Sequence, residues 1–379
     1  MKKQLIAIGA YILAFMMCFC ALTGCSKNTS TKNQGKFKAV EQVGQVPKSF
    51  KNIVKKDAFK DATAFDDRLL KTETDYDRKK RTATHRVWMM DLYGKTLATY
   101  TCSTDDAYHV KTLTATKDGG FLFVLGFVDY VHEQGKWASD DGFASRVIKC
   151  DKNGKVQFDT ALDQIEGMAL EYCFEKNGKF YFFGQTQTPE TKTRGVYSPT
   201  DIYMVIIDKN GSVLKSQLIA GSDFDDLHAA EISNDDFILS IQTQSRGGDF
   251  EGATSTGIQI DWVFTVNDNL EIIDKEEKSG REFFDCRIGQ KNGAAIFRSD
   301  LLSKDFDAGD PTAFIDYGDF YLVVSENVTG EYENTPHSIS SIWYYSESVY
   351  SAYDRSGNLI FRASIDSTPD YDALAKKFK

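Results

Sequence analysis

The chain has 379 residues, and its 45 Lys and Arg stand against 55 Asp and Glu, which gives a formal net charge of −10 at pH 7. Hydrophobic residues make up 41% of the sequence, so a largely disordered chain is excluded, and an acidic chain without a basic stripe argues against a nucleic-acid-binding protein. The 28 Gly far outnumber the 6 Pro, and 27 Phe, 18 Tyr and 4 Trp are present, a mixture typical of many strands joined by tight turns.

The N-terminus has the pattern of an export signal. Lys2 and Lys3 precede an apolar run that extends from Leu5 to Leu22. The run ends in Leu22-Thr23-Gly24-Cys25, which resembles the lipobox of bacterial lipoproteins: a Leu, two small residues and a Cys. The resemblance implies a signal peptide over residues 1–24, cleavage before Cys25, and a palmitate-type lipid anchor on that Cys. The implied location is the extracytoplasmic face of the cell membrane or envelope, and an uncleaved anchor would leave the chain on the same side.

Residues 25–46 lack periodicity and are rich in Lys, Asn, Thr and Ser, which predicts a flexible tether between the anchor and the body. The predicted body covers residues 47–368, and a short tail follows over 369–379. Four cysteines remain in the body, far apart and without CxxC spacing, so buried core thiols are favoured over disulfides, whose pairing the spacing leaves open. These cysteines are Cys102, Cys150, Cys173 and Cys286.

Two kinds of hairpin alternate along the body with a period of about 58 residues. The first is an apolar strand, a short polar turn and a second strand, as in LTATKDGGFLFVLGF (113–127). The second is built on Asp-Lys-Asn-Gly or a variant of it, as in RVIKCDKNGKVQF (146–158). In such turns the Asp side chain caps the turn, and Asn and Gly accept the positive φ that a hairpin requires.

Two hairpins per period make four antiparallel strands, and a four-stranded sheet repeated radially is the blade of a β-propeller. The pattern resembles the repeats of exported bacterial propellers. We therefore expect an all-β fold, a β-propeller of four-stranded antiparallel blades, with six blades favoured and five or seven left open. A strand near Ile53–Phe65 is expected to complete the last blade. Tandem β-sandwiches are the alternative fold.

The connections differ in length between the two faces of such a propeller. When the strands of a blade are named A to D in chain order, the A–B and C–D turns are tight, whereas the B–C loops are long and lie on the opposite face, the long-loop face. Aromatic and charged residues in these loops and in the D–A connections are candidates for contacts with a protein, peptide or envelope polysaccharide. The candidate binding residues are Trp137, Asp140, Asp141, Tyr197, Arg246 and Phe250 in the B–C loops, with Asp225 and Asp226 in a D–A connection.

Signatures of catalysis are missing from the sequence. It has no HExxH, GxSxG, P-loop or GxGxxG motif, and no local spacing of ligands for a metal or a cofactor. The favoured function is that of a monomeric, non-catalytic binding module that acts through the long-loop face. A glycan hydrolase or lyase that uses acidic channel residues is one alternative. An envelope-assembly scaffold is the other, and an exposed edge on the outer strands of the blades would favour it.

Overall fold

The computed structural model describes residues 43–366 except for 57–58, 60–61, 78, 106–107, 128–131, 134–135, 138–144, 163–168, 188–199, 222–224, 234, 256–258, 279–286, 293, 303–305, 307–309 and 335–340. Strands dominate this part of the chain. Its helices are α1 (Lys48–Lys56), α2 (Arg298–Leu302) and a 3₁₀ turn at Gly248–Phe250. Within the same residues, no helix combines the length and the apolar character needed to span a membrane.

The described chain forms five four-stranded antiparallel sheets and two two-stranded hairpins. The first sheet contains β1 (Ala62–Ala64), β2 (Arg68–Asp77), β3 (Thr82–Asp91) and β4 (Thr96–Asp105). The second contains β5 (Tyr108–Ala115), β6 (Phe121–Phe127), β9 (Arg146–Cys150) and β10 (Val156–Ala161), with the small hairpin β7 (His132–Glu133) and β8 (Lys136–Trp137) inserted before β9. The third contains β11 (Ala169–Lys176), β12 (Lys179–Gln187), β13 (Thr200–Asp208) and β14 (Val213–Ile219).

The remaining sheets continue the series. The fourth contains β15 (Asp225–Ser233), β16 (Asp236–Thr243), β17 (Ile260–Val266) and β18 (Ile272–Lys278). A hairpin of β19 (Arg287–Lys291) and β20 (Ala294–Phe297) occupies the fifth position. The sixth sheet contains β21 (Asp310–Asp316), β22 (Phe320–Asn334), β23 (Ser341–Asp354) and β24 (Leu359–Asp366).

The sheets form a closed ring. The first strand of each sheet is its inner strand and contacts strands of the neighbouring sheets. Apolar clusters fill the space between the first and second, the second and third, the third and fourth, and the fifth and sixth sheets. One further cluster joins the sixth sheet to the first, so the two ends of the chain close the ring. The predicted all-β propeller of four-stranded antiparallel blades is therefore confirmed. It has six blade positions, the fifth of which shows two strands among the described residues.

Local sequence explains the repeating hairpins. In β6, the residues Phe121–Leu125 are fully buried on both faces, as a strand packed between two neighbouring sheets requires. In the following C–D turn, Oδ1 of Asp151 accepts hydrogen bonds from the backbone N–H groups of Asn153 and Lys155 at 2.8 and 2.9 Å, and Gly154 adopts a φ of +80°. The same bonding recurs in the other C–D turns, at Asp91, Asp208, Asn267 and Asp354.

The prediction that a strand near Ile53–Phe65 completes the last blade is wrong. Helix α1 occupies the start of this segment because KSFKNIVKK places its apolar residues three and four apart, and Phe50 and Ile53 are buried between the first and sixth sheets. Strand β1 pairs with β2 inside the first sheet. The last blade is instead extended by Val43, at the end of the predicted tether, which forms an antiparallel bridge with Arg362 of β24. We name residues 43–56 the N-terminal clasp.

The described cysteines are free thiols. Cys150 and Cys173 are buried, Cys102 is half-buried, and Cys286 lies outside the described residues. Burial raises the pKa of the Cys150 thiol to about 12 and that of Cys173 well above its ordinary value. Both thiols therefore stay protonated at neutral pH and behave as small core residues.

Candidate functional site

The inner strands from β5 onward carry a bulge close to their first residues. At each bulge one residue is inserted without a partner on the second strand of the sheet, and these residues are Lys111, Glu171, His228, Ile288 and Thr312. Inner strands start from the D–A connections, which lie on the long-loop face. The bulges therefore collect at the end of the central channel that opens toward this face.

Three of the bulged residues carry ionisable side chains on neighbouring strands. Lys111, Glu171 and His228, together with Asp226 and Gln185, are here named the channel-mouth cluster. Nε2 of Gln185 donates a hydrogen bond to Oδ1 of Asp226, and Nε2 of His228 lies 3.9 Å from Oδ2 of the same carboxylate. The cluster thus spans the inner strands of the second, third and fourth sheets.

Glu171 has a strongly perturbed carboxyl group. Burial is the main cause, the negative charge of Asp226 is the second, and together they raise the pKa of Glu171 to about 7 against the opposing effect of Lys111. Near neutral pH the Glu171 carboxyl is therefore divided between its protonated and ionised forms. Two carboxyl groups that repel each other in a partly dry site attract a cationic group and can also exchange a proton with a ligand.

Histidines extend this polar surface toward the first sheet. Nδ1 of His109, on β5, is hydrogen-bonded to the hydroxyl of Tyr76, and burial together with a neighbouring lysine lowers the pKa of this histidine. Behind it, His85 lies between the hydroxyl groups of Thr74 at 3.0 Å and Thr104 at 2.7 Å. Burial, with a smaller effect of His109, lowers the pKa of His85 to about 4. At pH 7 His85 is thus a neutral hydrogen-bonding group.

Of the residues singled out from the sequence, Asp226 is the one that lies in the channel-mouth cluster among the described residues. Asp225 is fully buried and accepts a hydrogen bond from the hydroxyl of Thr243. Phe250 is also fully buried, with its ring centroid 5.3 Å from that of Phe264, so the expectation that it forms part of a binding surface is wrong. The 3₁₀ turn that carries Phe250 inserts the ring into the core of the fourth sheet.

The B–C loop of the fourth sheet is held to the scaffold over its described residues. Asp249 bonds Ala220 in both directions: its N–H donates to the carbonyl at 2.9 Å, and its carboxylate accepts from the N–H at 2.8 Å. Arg246 is exposed, and its Nη1 donates to the carbonyl oxygen of Ser255 at 2.5 Å. Part of this long loop is therefore ordered by contacts with the fourth sheet and with the connection that carries Ala220, and only part of it is exposed.

The other predicted residues are placed only in part. Trp137 belongs to β8 and pairs with His132 of β7, while its side chain is outside the described part of the structure. Asp140, Asp141 and Tyr197 also lie outside the described residues. Across the residues that are described, no group of three or more His, Cys, Asp or Glu side chains could hold a metal ion.

Lys111, Glu171 and His228 were missed by the sequence analysis, although a signal for them exists. Each interrupts the apolar alternation of a first strand, and each precedes the Phe that follows the A–B turn by nearly the same number of residues, as Glu171 precedes Phe180. A polar residue recurring at the position where period-2 alternation fails is typical of a bulge.

The outermost strands of the sheets carry exposed apolar side chains. The outermost strands β4, β14, β18 and β24 hold six large aliphatic residues that are 40–53% exposed, namely Leu97, Val213, Leu214, Leu218, Ile273 and Ile360.

Comparison with known proteins does not assign this chain to a family. No family model and no curated protein matches the chain. Solved structures similar to it include the cobalt-substituted Synechocystis apocarotenoid oxygenase, at 12% identity and a TM-score of 0.35 over 79% of this chain and 58% of that one. Another is a subtype N10 neuraminidase-like protein of A/little yellow-shouldered bat/Guatemala, at 10% identity and a TM-score of 0.36 over 81% and 80%. The chain thus spans less than two thirds of the oxygenase, and the likeness concerns the fold alone.

Proposed function

We propose that this chain is an extracytoplasmic lipoprotein, anchored through lipidated Cys25, whose propeller binds a ligand at the channel-mouth cluster. The anchor rests on the lipobox sequence. Binding rests on one observation: the carboxyl groups of Glu171 and Asp226 lie on neighbouring inner strands, close enough for the charge of one to raise the pKa of the other. This arrangement is costly for the unliganded protein and is relieved by a cationic group.

The ligand class that fits is one with a protonated amino group, such as a basic peptide or an amino sugar of an envelope polymer. Such a group pairs with Asp226 and shifts Glu171 toward its ionised form. His109 and Tyr76 lie beside the cluster and offer hydrogen bonds to the rest of the ligand. Trp137 and Tyr197, which the sequence assigns to long B–C connections, are the proposed aromatic contacts to the ligand.

Direct binding measurements test this proposal. The mature chain is immobilised and probed with lysine-rich peptides and with chitosan oligomers, with acetylated forms of both as uncharged controls. We expect Asp226→Asn to weaken binding at least tenfold, and affinity to fall as salt rises. Glu276→Gln, a matched change on outer strand β18, should leave binding unchanged, as should Ala in place of Lys152 and Lys209 on the tight-turn face. Equal binding by the Asp226→Asn variant and the native protein would refute the site.

A second function, glycan cleavage, is favoured by the pKa of Glu171. A carboxyl group with a pKa near 7 beside a second carboxyl group is the kind of pair that glycosidases use as general acid and base or nucleophile. One experiment distinguishes binding alone from glycan cleavage. If the protein cleaves envelope glycans, Glu171→Gln abolishes product formation while binding persists, and the rate has a bell-shaped pH profile. If no product forms from any glycan that binds, the cluster is a binding site alone.

A further inference from the structure

Arg287 is a half-buried arginine on an inner strand of the propeller. It begins β19, and its guanidinium carbon lies 4.9 Å from the ring centroid of Phe65. Nη2 donates a hydrogen bond to Oε1 of Gln290 at 2.8 Å. Nε is enclosed and has no hydrogen-bond acceptor among the described residues. An enclosed guanidinium N–H without an acceptor is rare in folded proteins.

Among the described residues, no carboxylate forms an ion pair with the guanidinium of Arg287. Asp66 is the carboxylate that acts on it, and this carboxylate meets Nε2 of Gln290, at 3.4 Å, instead of the guanidinium. The thiol of Cys173 is the other acidic group near Arg287, and burial keeps it protonated. Burial lowers the pKa of Arg287 to about 10, so the side chain remains a cation at neutral pH. A half-buried cation that meets no carboxylate directly among the described residues is destabilised, and a bound anion reduces that cost.

The residues around Arg287 come from three blades. Phe65 and Asp66 follow β1 in the first sheet, Cys173 lies on β11 in the third, and Gln290 is on β19 itself. The inner strands of these blades surround the channel. Because its neighbours come from the first, third and fifth blades, we infer that the guanidinium lies toward the space that these blades enclose.

We propose that Arg287 anchors a second binding site inside the channel, which takes a small oxyanion, either a carboxylate or a phosphate group. The guanidinium matches the planar fork of such groups with its Nε and Nη donors, the amide of Gln290 holds it in place, and Phe65 covers one face. This site does not depend on the proposed function of the channel-mouth cluster.

Thermal unfolding of the full mature chain in detergent tests the site. Sodium phosphate and sodium acetate are titrated separately into a buffer poor in anions, with sodium chloride at matched ionic strength as the control. We expect one oxyanion or both to raise the melting temperature of the native protein in a saturable manner, beyond the effect of chloride. A response to phosphate alone assigns a phosphate site, and a response to acetate assigns a carboxylate site.

Variants then locate the effect. Arg287→Met, similar in volume but uncharged, should lose the response and melt no lower than the native protein without oxyanions. Arg287→Lys keeps the charge without the fork, and it should weaken oxyanion affinity at least tenfold. Arg86→Met removes an exposed arginine that pairs with Asp75, and it should respond like the native protein.

Three results would overturn the proposal. In the first, neither oxyanion stabilises the native protein more than chloride does. In the second, Arg287→Lys, or a folded Arg287→Met, responds as strongly as the native protein. In the third, Arg287→Met unfolds at a much lower temperature in the absence of oxyanions, which would mean that a carboxylate of the chain already neutralises Arg287.

Discussion

The N-terminal clasp joins the first and last blades, and Phe50 is the residue through which its contribution can be measured. The Phe50 side chain is 2% exposed, and its ring centroid lies 5.0 Å from Tyr317 and 5.5 Å from Phe320 in the sixth sheet. It also lies 5.8 Å from Tyr93 in the first sheet. Replacing a buried Phe by Ala costs about 3–5 kcal/mol. Because α1 lies near the end of the described chain and can relax, we expect Phe50→Ala to lower the free energy of unfolding by about 3 kcal/mol.

Urea unfolding of the full chain, followed by tryptophan fluorescence and circular dichroism, measures this loss. Lys51→Ala changes an exposed position of the same helix and should stay within about 0.5 kcal/mol of the native protein. A double-mutant cycle between Phe50→Ala and Tyr317→Leu should give a coupling of about 1 kcal/mol. A loss below about 1 kcal/mol for Phe50→Ala, at an unchanged unfolding slope, would show that α1 does not hold the two blades together.

Three further predictions concern the turns, the anchor and the channel. Gly154 and Gly357 have similar φ values, +80° and +85°, but a Cβ at Gly154 would lie 2.8 Å from the carbonyl oxygen of Thr99, while a Cβ at Gly357 would meet nothing within 4 Å. Gly357→Ala should therefore cost about 1 kcal/mol in urea unfolding and Gly154→Ala clearly more; equal losses would contradict this geometry. Cys25→Ser should move the protein from the membrane to the soluble fraction with an unchanged thermal melt, and retention in the membrane pellet would exclude the lipid anchor. Between pH 4.5 and 7 the native state holds a proton on Glu171 that the unfolded chain releases, so stability should fall by up to about 3 kcal/mol as pH rises through this window and level off above it. Glu171→Gln should abolish this component, and an unaltered pH slope would refute the raised pKa.

The fold was predictable because the repeated hairpins are specified by local chemistry. An Asp side chain that accepts two backbone N–H groups and a Gly with positive φ define each C–D turn within five residues. The fourth sheet shows the limit of such reasoning. Asn267 accepts the same bonds there, but Leu270 takes the Gly position at a φ of 60°. Its side chain is fully buried, so packing holds a conformation that local preference disfavours.

The N-terminal clasp and the residues of the candidate site were harder to predict, for different physical reasons. Helix α1 is a nine-residue segment whose burial depends on the two blades it joins, which are far apart in the sequence. Loop length does not by itself indicate an exposed surface, because a long connection can be ordered by its own contacts with the sheet. Phe250 and Asp249 anchor the B–C loop of the fourth sheet in this way.

The bulges explain how side chains at the channel mouth can differ between blades while the strands and hairpins stay alike. A bulged residue is unpaired in its strand ladder, so its side chain is not fixed by the alternation of its neighbours: Ile288 packs in the core between the fifth and sixth sheets, whereas Lys111, Glu171 and His228 are ionisable. The same position can then hold Lys111, Glu171 or His228 on successive inner strands, while the hairpins around it remain alike. Because the inner strands surround one channel, three such changes on adjacent blades place a cation, a carboxyl group and an imidazole side by side. A change of side chain at Lys111, Glu171 or His228 alters the charge at the channel mouth, whereas a polar side chain in the fully buried run Phe121–Leu125 of β6 would disrupt the contacts between blades.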